Sequence, residues 1–275
     1  MQRAITFDSG EKSLHLGITN AHPYVISGGS PGRIRRIAKY LTNSEIIESD
    51  RGLVTVHGLY QGVPITAFST GMGPASVSIT LPEVIEACDT RDMYIIRLGT
   101  AGALKRDLNV GDFIVTTFVD QQESTSVKIS SAYRLFADRI LMDELETKGL
   151  QYKSPTQKVH VGPTRVVDEI YINALAITET PPGGPLAVSM EFSVYCALRN
   201  FYNTHSGQEV SFKGGKTVQM PQKDIKVGNL LVISDNPLAE GTQVDMTQFH
   251  SKISEIERTQ ILIGLEALVE MSKQH

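Results

Sequence analysis

The stretch Tyr94-Ile95-Ile96-Arg97-Leu98-Gly99-Thr100-Ala101-Gly102-Ala103 carries the clearest chemistry in this chain. An apolar run of strand character ends in an arginine, a threonine and two glycines. A cation on such a run must meet an anion, because desolvating it alone is costly. A glycine turn behind it would bare several backbone amides pointing one way. Arginine, hydroxyl and amides together make an oxyanion pocket that fits phosphate. The plainer reading is a core strand ending in a tight turn, with Arg97 paired to a carboxylate. This stretch alone supports both readings equally.

A second anion site is written in Tyr24-Val25-Ile26-Ser27, Gly28-Gly29-Ser30-Pro31-Gly32-Arg33 and the helical spacing of Ile34, Ile37, Ala38 and Leu41. Strand, glycine loop and helix start present amides and a positive dipole end to an anion. Arg33 in the first turn opposes that dipole, and makes sense beside a dianion. The loop is neither a Walker loop nor a dinucleotide fingerprint. Arg51 is a third arginine near these loops. Arg33, Arg51 and Arg97 could neutralise and orient inorganic phosphate. Met190-Glu191 follows a short strand, and its carboxylate could take paired sugar hydroxyls. Asp235 ends another strand and could give a proton or hydrogen bond to a leaving group. Taken singly, each has a duller role: Arg51 and His15 as surface residues, Glu191 as a helix-end carboxylate, Asp235 as a turn former.

The elements that must position these residues alternate between strand and helix. A hairpin is expected from Leu53–His57 and Val63–Ser69 around Tyr60-Gln61-Gly62. Thr70-Gly71-Met72-Gly73-Pro74 then leads into a helix over Ala75–Ala87, with proline in its first turn. Val110-Gly111-Asp112 turns into another strand. A helix is expected over Tyr133–Lys148, a loop over Thr178–Pro185, a strand over Leu186–Met190 and a helix over Phe192–Phe201. Residues 203–226 are polar and read as a surface excursion. Leu230–Ser234 is a buried strand. Phe249, Ile253, Ile256, Ile261, Leu265 and Leu268 mark a long C-terminal helix. This alternation argues for an α/β fold with a parallel or mixed sheet covered by helices. Ligands of such sheets bind beyond the carboxyl ends of the strands, where Gly29, Gly71, Thr100, Glu191 and Asp235 all fall.

Composition narrows the alternatives. The chain has 275 residues, 41% hydrophobic and 20% charged, with net charge −4. That charge gives no electrostatic case for nucleic acid or a membrane surface. No apolar run is long enough to cross a bilayer, and the first residues lack a signal-peptide core. A cytoplasmic location is therefore expected. Cys88 and Cys196 sit in apolar helical contexts and read as small buried hydrophobes, not a disulfide or metal site.

In their order along the chain, these motifs resemble those of the nucleoside phosphorylases of the uridine phosphorylase and hexameric purine nucleoside phosphorylase type. His15-Leu16-Gly17-Ile18 resembles the family's start. Gly29-Ser30-Pro31-Gly32-Arg33 resembles its G-D-P-x-R phosphate loop, with Ser30 in place of aspartate. Ser69-Thr70-Gly71-Met72-Gly73, Ile96-Arg97-Leu98-Gly99-Thr100-Ala101-Gly102 and Val110-Gly111-Asp112 resemble its S-T-G-x-G, I-R-x-G-T-x-G and V-G-D turns. Ser189-Met190-Glu191-Phe192 stands where the family has E-M-E-S. The resemblance implies a single three-layer domain with a mixed central sheet, 203–226 being an insertion. It implies phosphate held by Gly29, Arg33, Arg97 and Thr100, with Arg51 acting in a neighbouring subunit's site. His15 would reach a sugar 5′-hydroxyl there, and Met190 and Glu191 would hold the ribose. The implied reaction is phosphorolysis of a nucleoside to free base and pentose 1-phosphate. Phosphate is the co-substrate, and no metal or other cofactor is required. The active unit would be a homodimer with shared sites, often built into hexamers. Val232-Ile233-Ser234-Asp235 is similar to the purine enzymes, whose aspartate protonates the base, although their arginine partner is absent. The Gln-x-Arg pair of the uridine enzymes has no counterpart over 166–185. Ser234-Asp235-Asn236-Pro237-Leu238 is also similar to AMP nucleosidase, so water as nucleophile is an alternative. A nucleoside-binding homologue of weak activity is another.

Overall fold

The computed structural model describes residues 5–6, 12–132, 134–170, 177–239 and 246–274, and in 246–253 the backbone alone. The strands are β1 (Tyr24–Gly28), β2 (Thr42–Glu48), β3 (Val54–Tyr60), β4 (Val63–Ser69), β5 (Asp92–Ala103), β6 (Phe113–Gln122), β7 (Leu135–Phe136), β8 (Val159–Val167), β9 (Ala187–Ser189), β10 (Glu209–Ser211), β11 (Thr217–Gln219) and β12 (Asp224–Asp235). The helices are α1 (Pro31–Ile37), α2 (Pro74–Ala87), α3 (Ser126–Ile129), α4 (Arg139–Tyr152), α5 (Phe192–Thr204) and α6 (Met246–Ser272).

The large sheet runs β12-β6-β8-β9-β5-β1-β4-β3-β2, and β12 also pairs with β5. That extra pairing closes β5, β12, β6, β8 and β9 into a ring, filled by Ala101, Ala103, Ile114, Ala187, Leu231 and Ile233. Strands β1, β4, β5 and β12 run parallel, so their carboxyl ends share one rim. Alternate residues of the central strands face opposite layers. Val25, Phe68 and Ile95 pack with α2 and α5. Ile26, Ile65, Ile96 and Leu98 pack with α1, α4 and α6. This is the three-layer mixed α/β architecture that the sequence implies.

Local signals explain the elements near the rim. Ser30 caps α1 by accepting from the Arg33 amide, and Pro31 takes the first helical position. Gln61 and Gly62 both adopt positive φ, which joins β3 to β4 in a two-residue turn. The Gly111 turn is fastened by Asp112, whose carboxylate accepts from Asn109 and Lys158 amides and meets His160. Burial pushes the Asp112 carboxyl up, but these hydrogen bonds outweigh it and hold its pKa below the usual range.

Several expectations need correction. Strand β5 does not turn at Gly99. It continues to Ala103, because β12 pairs with it through Leu231↔Gly99 and Val232↔Thr100. On the β12 side the backbone serves the ladder, while the Leu98 and Gly99 carbonyls accept from the Arg33 and Gln260 side chains. The helix expected from 133 starts at Arg139. Leu135 and Phe136 pair with β6 instead, and the Asp138 carboxylate is held by Val227 and Arg199. Tyr133 lies outside the described residues, as do the side chains of Phe249 and Ile253. Strand β12 begins at Asp224, so 224–226 belong to the sheet, with Ile225 fully buried. Residues 203–204 end α5, and the middle of the excursion is a small hairpin, β10–β11, outside the main sheet. Strand β2, an exposed edge, carries no apolar alternation and was invisible to periodicity. Cys88 and Cys196 are buried free thiols, with burial pushing Cys196 up to about 12.

Candidate active site at the strand ends

Two arginines approach the rim from opposite layers and meet at one peptide. Arg33 comes from α1, and its Nη1 donates to the Leu98 carbonyl at 2.7 Å. Arg97 comes from the α5 side and folds its guanidinium over Gly99. The guanidiniums thus flank the Leu98–Gly99 peptide. Both are nearly fully buried. Burial lowers the Arg33 pKa, with Glu257 opposing this and Arg97 and Arg36 adding to it, so the cations feel one another.

Each guanidinium is fastened by fixed acceptors. Arg97 Nη2 donates to Glu191 and Nη1 to the Asn229 side chain at 3.3 Å. Asn229 in turn donates to Thr116 at 2.8 Å, and Thr116 meets Thr164 at 3.3 Å. Among the described residues, the buried Arg97 Nε has no hydrogen-bond partner. Arg33 Nε donates to Glu257 at 3.3 Å. Glu191 opens α5 but does not cap it. Its carboxylate accepts from the Gly73 and Met190 amides, both at 3.3 Å, besides Arg97. The carboxylate partner of the plainer reading is present, and Arg97 stands at the strand-end rim beside Arg33. Tyr195 lies beneath, fully buried, with its hydroxyl on Ser27 and its pKa pushed up to about 12 by burial.

The remaining rim residues fall around this pair. Backbone at Gly28 and Gly29 lies close to Leu98 and Gly71, where an added Cβ would come within 3.0 Å of each carbonyl oxygen. The Met190 methyl rests against Gly73. Thr100 exposes its side chain at the rim. Asp235 stands opposite Gly102 beyond an irregularity in β12, and Ser234 donates to it at 2.9 Å. Asn236 pins this strand exit by donating to the carbonyls of Lys105, Arg106 and Leu108.

His15 and Arg51 do not join the cluster. The His15 ring meets Glu83 of α2 at 2.6 Å, and its amide is held by the same carboxylate. Glu83 lies nine residues beyond Pro74, about 13 Å down the helix from the rim. Arg51 is exposed in the turn before β3, without a hydrogen bond or ion pair among the described residues. Val54 lies beside Ser69, so that turn sits at the outer end of the same rim.

Asn229 and Glu257 were missed by sequence reading. Asn229 falls just before the apolar run taken as a strand. Glu257 and Gln260 lie on the stripe that buries Ile261, Leu265 and Leu268, and two polar residues on an apolar stripe were the available signal. Among the described residues, no group of three or more potential metal ligands gathers. No described helix is long and apolar enough to cross a membrane.

Gly99 offers a direct check of the cluster. A Cβ there would lie 2.0 Å from Arg97 Nη1, closer than real side chains ever come. Gly99→Ala must therefore displace the guanidinium by an ångström or more. On the phosphorolysis that the motif resemblance implies, kcat/KM for phosphate should fall about 10²-fold. Gly102→Ala, whose Cβ meets Asp235 at an ordinary 3.4 Å, should stay within about threefold of wild type on this scale. Steady-state kinetics with phosphate as the varied substrate distinguishes them, and equal effects would contradict the placement of Arg97.

Comparison with known proteins agrees with this architecture. The family model described as the phosphorylase superfamily matches residues 23–181. A guanosine phosphorylase of Halorubrum lacusprofundi is 31% identical over 183 residues, 65% of this chain and 73% of that protein. A DeoD-type purine nucleoside phosphorylase of Bacillus subtilis is 31% identical over 195 residues, 68% of this chain and 80% of that protein. A crystal structure of uridine phosphorylase from Vibrio fischeri shares the fold with TM-score 0.73, covering 94% of this chain and 97% of its own at 23% identity. The chain belongs to the phosphorylase superfamily.

Proposed function

We propose that this protein is a nucleoside phosphorylase, a pentosyltransferase that cleaves purine nucleosides with inorganic phosphate. The observation that carries the reading is the pair of buried arginines on either side of the Leu98–Gly99 peptide. A nucleophile that is water needs no such pair, whereas a phosphate dianion does. Gly29, Arg33, Arg97 and Thr100 hold the phosphate beneath the sugar. Glu191 and Met190 hold the ribose. A phosphate oxygen bonds to the anomeric carbon as the glycosidic bond breaks, and its electron pair leaves on the base nitrogen. Asp235 supplies a proton or hydrogen bond to the departing purine. Positive charge grows on the sugar beside the bound dianion, which stabilises it electrostatically. Binding both reactants in one pocket supplies the orientation.

The purine reading rests on Asp235 beside Gly102 and on the lack of a Gln-x-Arg pair over 166–185 of the sequence. Charge supports a shared site. The buried pair Arg33 and Arg97 faces Glu191 and Glu257, which leaves no net positive charge within one copy for a dianion. Arg51 from a second copy would supply one. His15, held by Glu83, would reach that copy's sugar. The working unit is then a homodimer acting in the cytoplasm in nucleoside salvage, with the β10–β11 hairpin as a surface insertion.

The test is a panel of inosine, guanosine, adenosine and uridine, with and without phosphate, followed by release of base and pentose 1-phosphate. Purine nucleosides cleaved only with phosphate are expected. Equal cleavage without phosphate would instead identify a hydrolase, and binding without turnover a nucleoside-binding homologue.

A further inference from the structure

The C-terminal helix reaches into the arginine pair from outside the motifs that define it. Glu257 on α6 is 5% exposed and lies among arginines of α1. One oxygen accepts from Arg33 Nε at 3.3 Å and from Arg36 Nε at 3.0 Å, and both oxygens accept from Arg36 Nη2 at 2.8 Å. Nearly one turn further on, Gln260 donates from one amide nitrogen to the Gly99 carbonyl at 2.8 Å and the Leu230 carbonyl at 2.9 Å. Gly264 packs on Leu98 and Ile26. Three successive contacts thus bolt α6 to the strand ends that carry the anion site.

The consequence for Arg33 is geometric. Its Nη1 is committed to the Leu98 carbonyl and its Nε to Glu257, which fixes the plane of the guanidinium. What remains is one outward edge. Fixed acceptors behind a guanidinium decide which donors it can offer in front. Arg36 is half exposed and has solvent as an alternative; Arg33 has none. A buried carboxylate shared by two guanidiniums also keeps Arg33, Arg36 and Arg97 from repelling one another out of register.

We infer that Glu257 is a positioning residue for phosphate, orienting Arg33 from the C-terminal helix without touching the anion. This rests on the phosphorylase reading above. Glu257→Gln keeps the shape but removes the charge and turns a donor toward Arg33 or Arg36. Glu257→Asp keeps the charge but shortens its reach by one methylene, so it cannot serve both arginines. Arg36→Met leaves the Arg33–Glu257 pair in place.

Calorimetric titration with inorganic phosphate, without nucleoside, reads the effect directly. Glu257→Gln should raise the phosphate Kd at least tenfold and Glu257→Asp severalfold, while Arg36→Met stays within about threefold of wild type. In turnover, the KM for phosphate should rise in the same order with the nucleoside KM within about twofold. Should Glu257→Gln fail to fold, Glu257→Asp carries the test alone. A phosphate Kd unchanged by either Glu257 variant, with wild type binding normally, overturns this inference and leaves the phosphorylase reading intact. Failure of the wild-type protein to bind phosphate overturns both.

Discussion

Arg97→Ala should lower kcat/KM for phosphorolysis about 10³-fold and abolish saturation by phosphate. The size follows from what the guanidinium does. It is buried, it is fixed by Glu191 and Asn229, and on the proposed reading it faces the dianion, where a preformed donor is worth far more than in water. Removing it also leaves Glu191 buried with its Arg97 partner gone, at a cost of about 3–5 kcal/mol. Activity should therefore be measured well below the lowered Tm. The double variant Arg97→Met with Glu191→Gln removes the orphaned charge, so it should regain stability without regaining activity. Arg97→Lys should recover charge but not the two-pronged grip, and remain at least tenfold impaired. Wild-type phosphate saturation in Arg97→Ala would mean that the dianion binds elsewhere.

The parts of this molecule legible in its sequence are those where local chemistry and the fold agree. Glycine loops after apolar runs located the rim, because glycine there is demanded by close backbone approach, as at Gly28 and Gly29 against Leu98 and Gly71. Pro74 marked the start of α2 correctly. The errors came where partners distant in sequence decide. Nothing near Gly99 reveals that β12, more than a hundred residues later, will pair with it and keep it a strand. The glycine is needed, but for the Arg97 side chain and not for a turn. Asn229 and Glu257 escaped for the same reason. Each is an unremarkable polar residue until the fold sets it against an arginine 132 or 224 residues away. The edge strand β2 escaped because an exposed edge needs no apolar face.

Asp235→Asn should separate the chemistry at the base from that at the phosphate. The carboxylate sits where β12 breaks register, opposite Gly102 and next to Asn236, whose amide locks the strand exit to Lys105, Arg106 and Leu108. A group so placed is built to point one way. If it donates to the departing purine, its loss should lower kcat for inosine about 10²–10³-fold, the usual worth of a positioned acid. The phosphate KM should barely move, since the arginine cluster is untouched. A nucleoside whose base already carries a positive charge, such as 7-methylguanosine, leaves without taking up a proton. Asp235→Asn should therefore cleave it within about tenfold of wild type. A uniform loss across both substrates would make Asp235 a structural residue of the strand exit. Unchanged rates on inosine would remove the acid from the mechanism and reopen the choice of base.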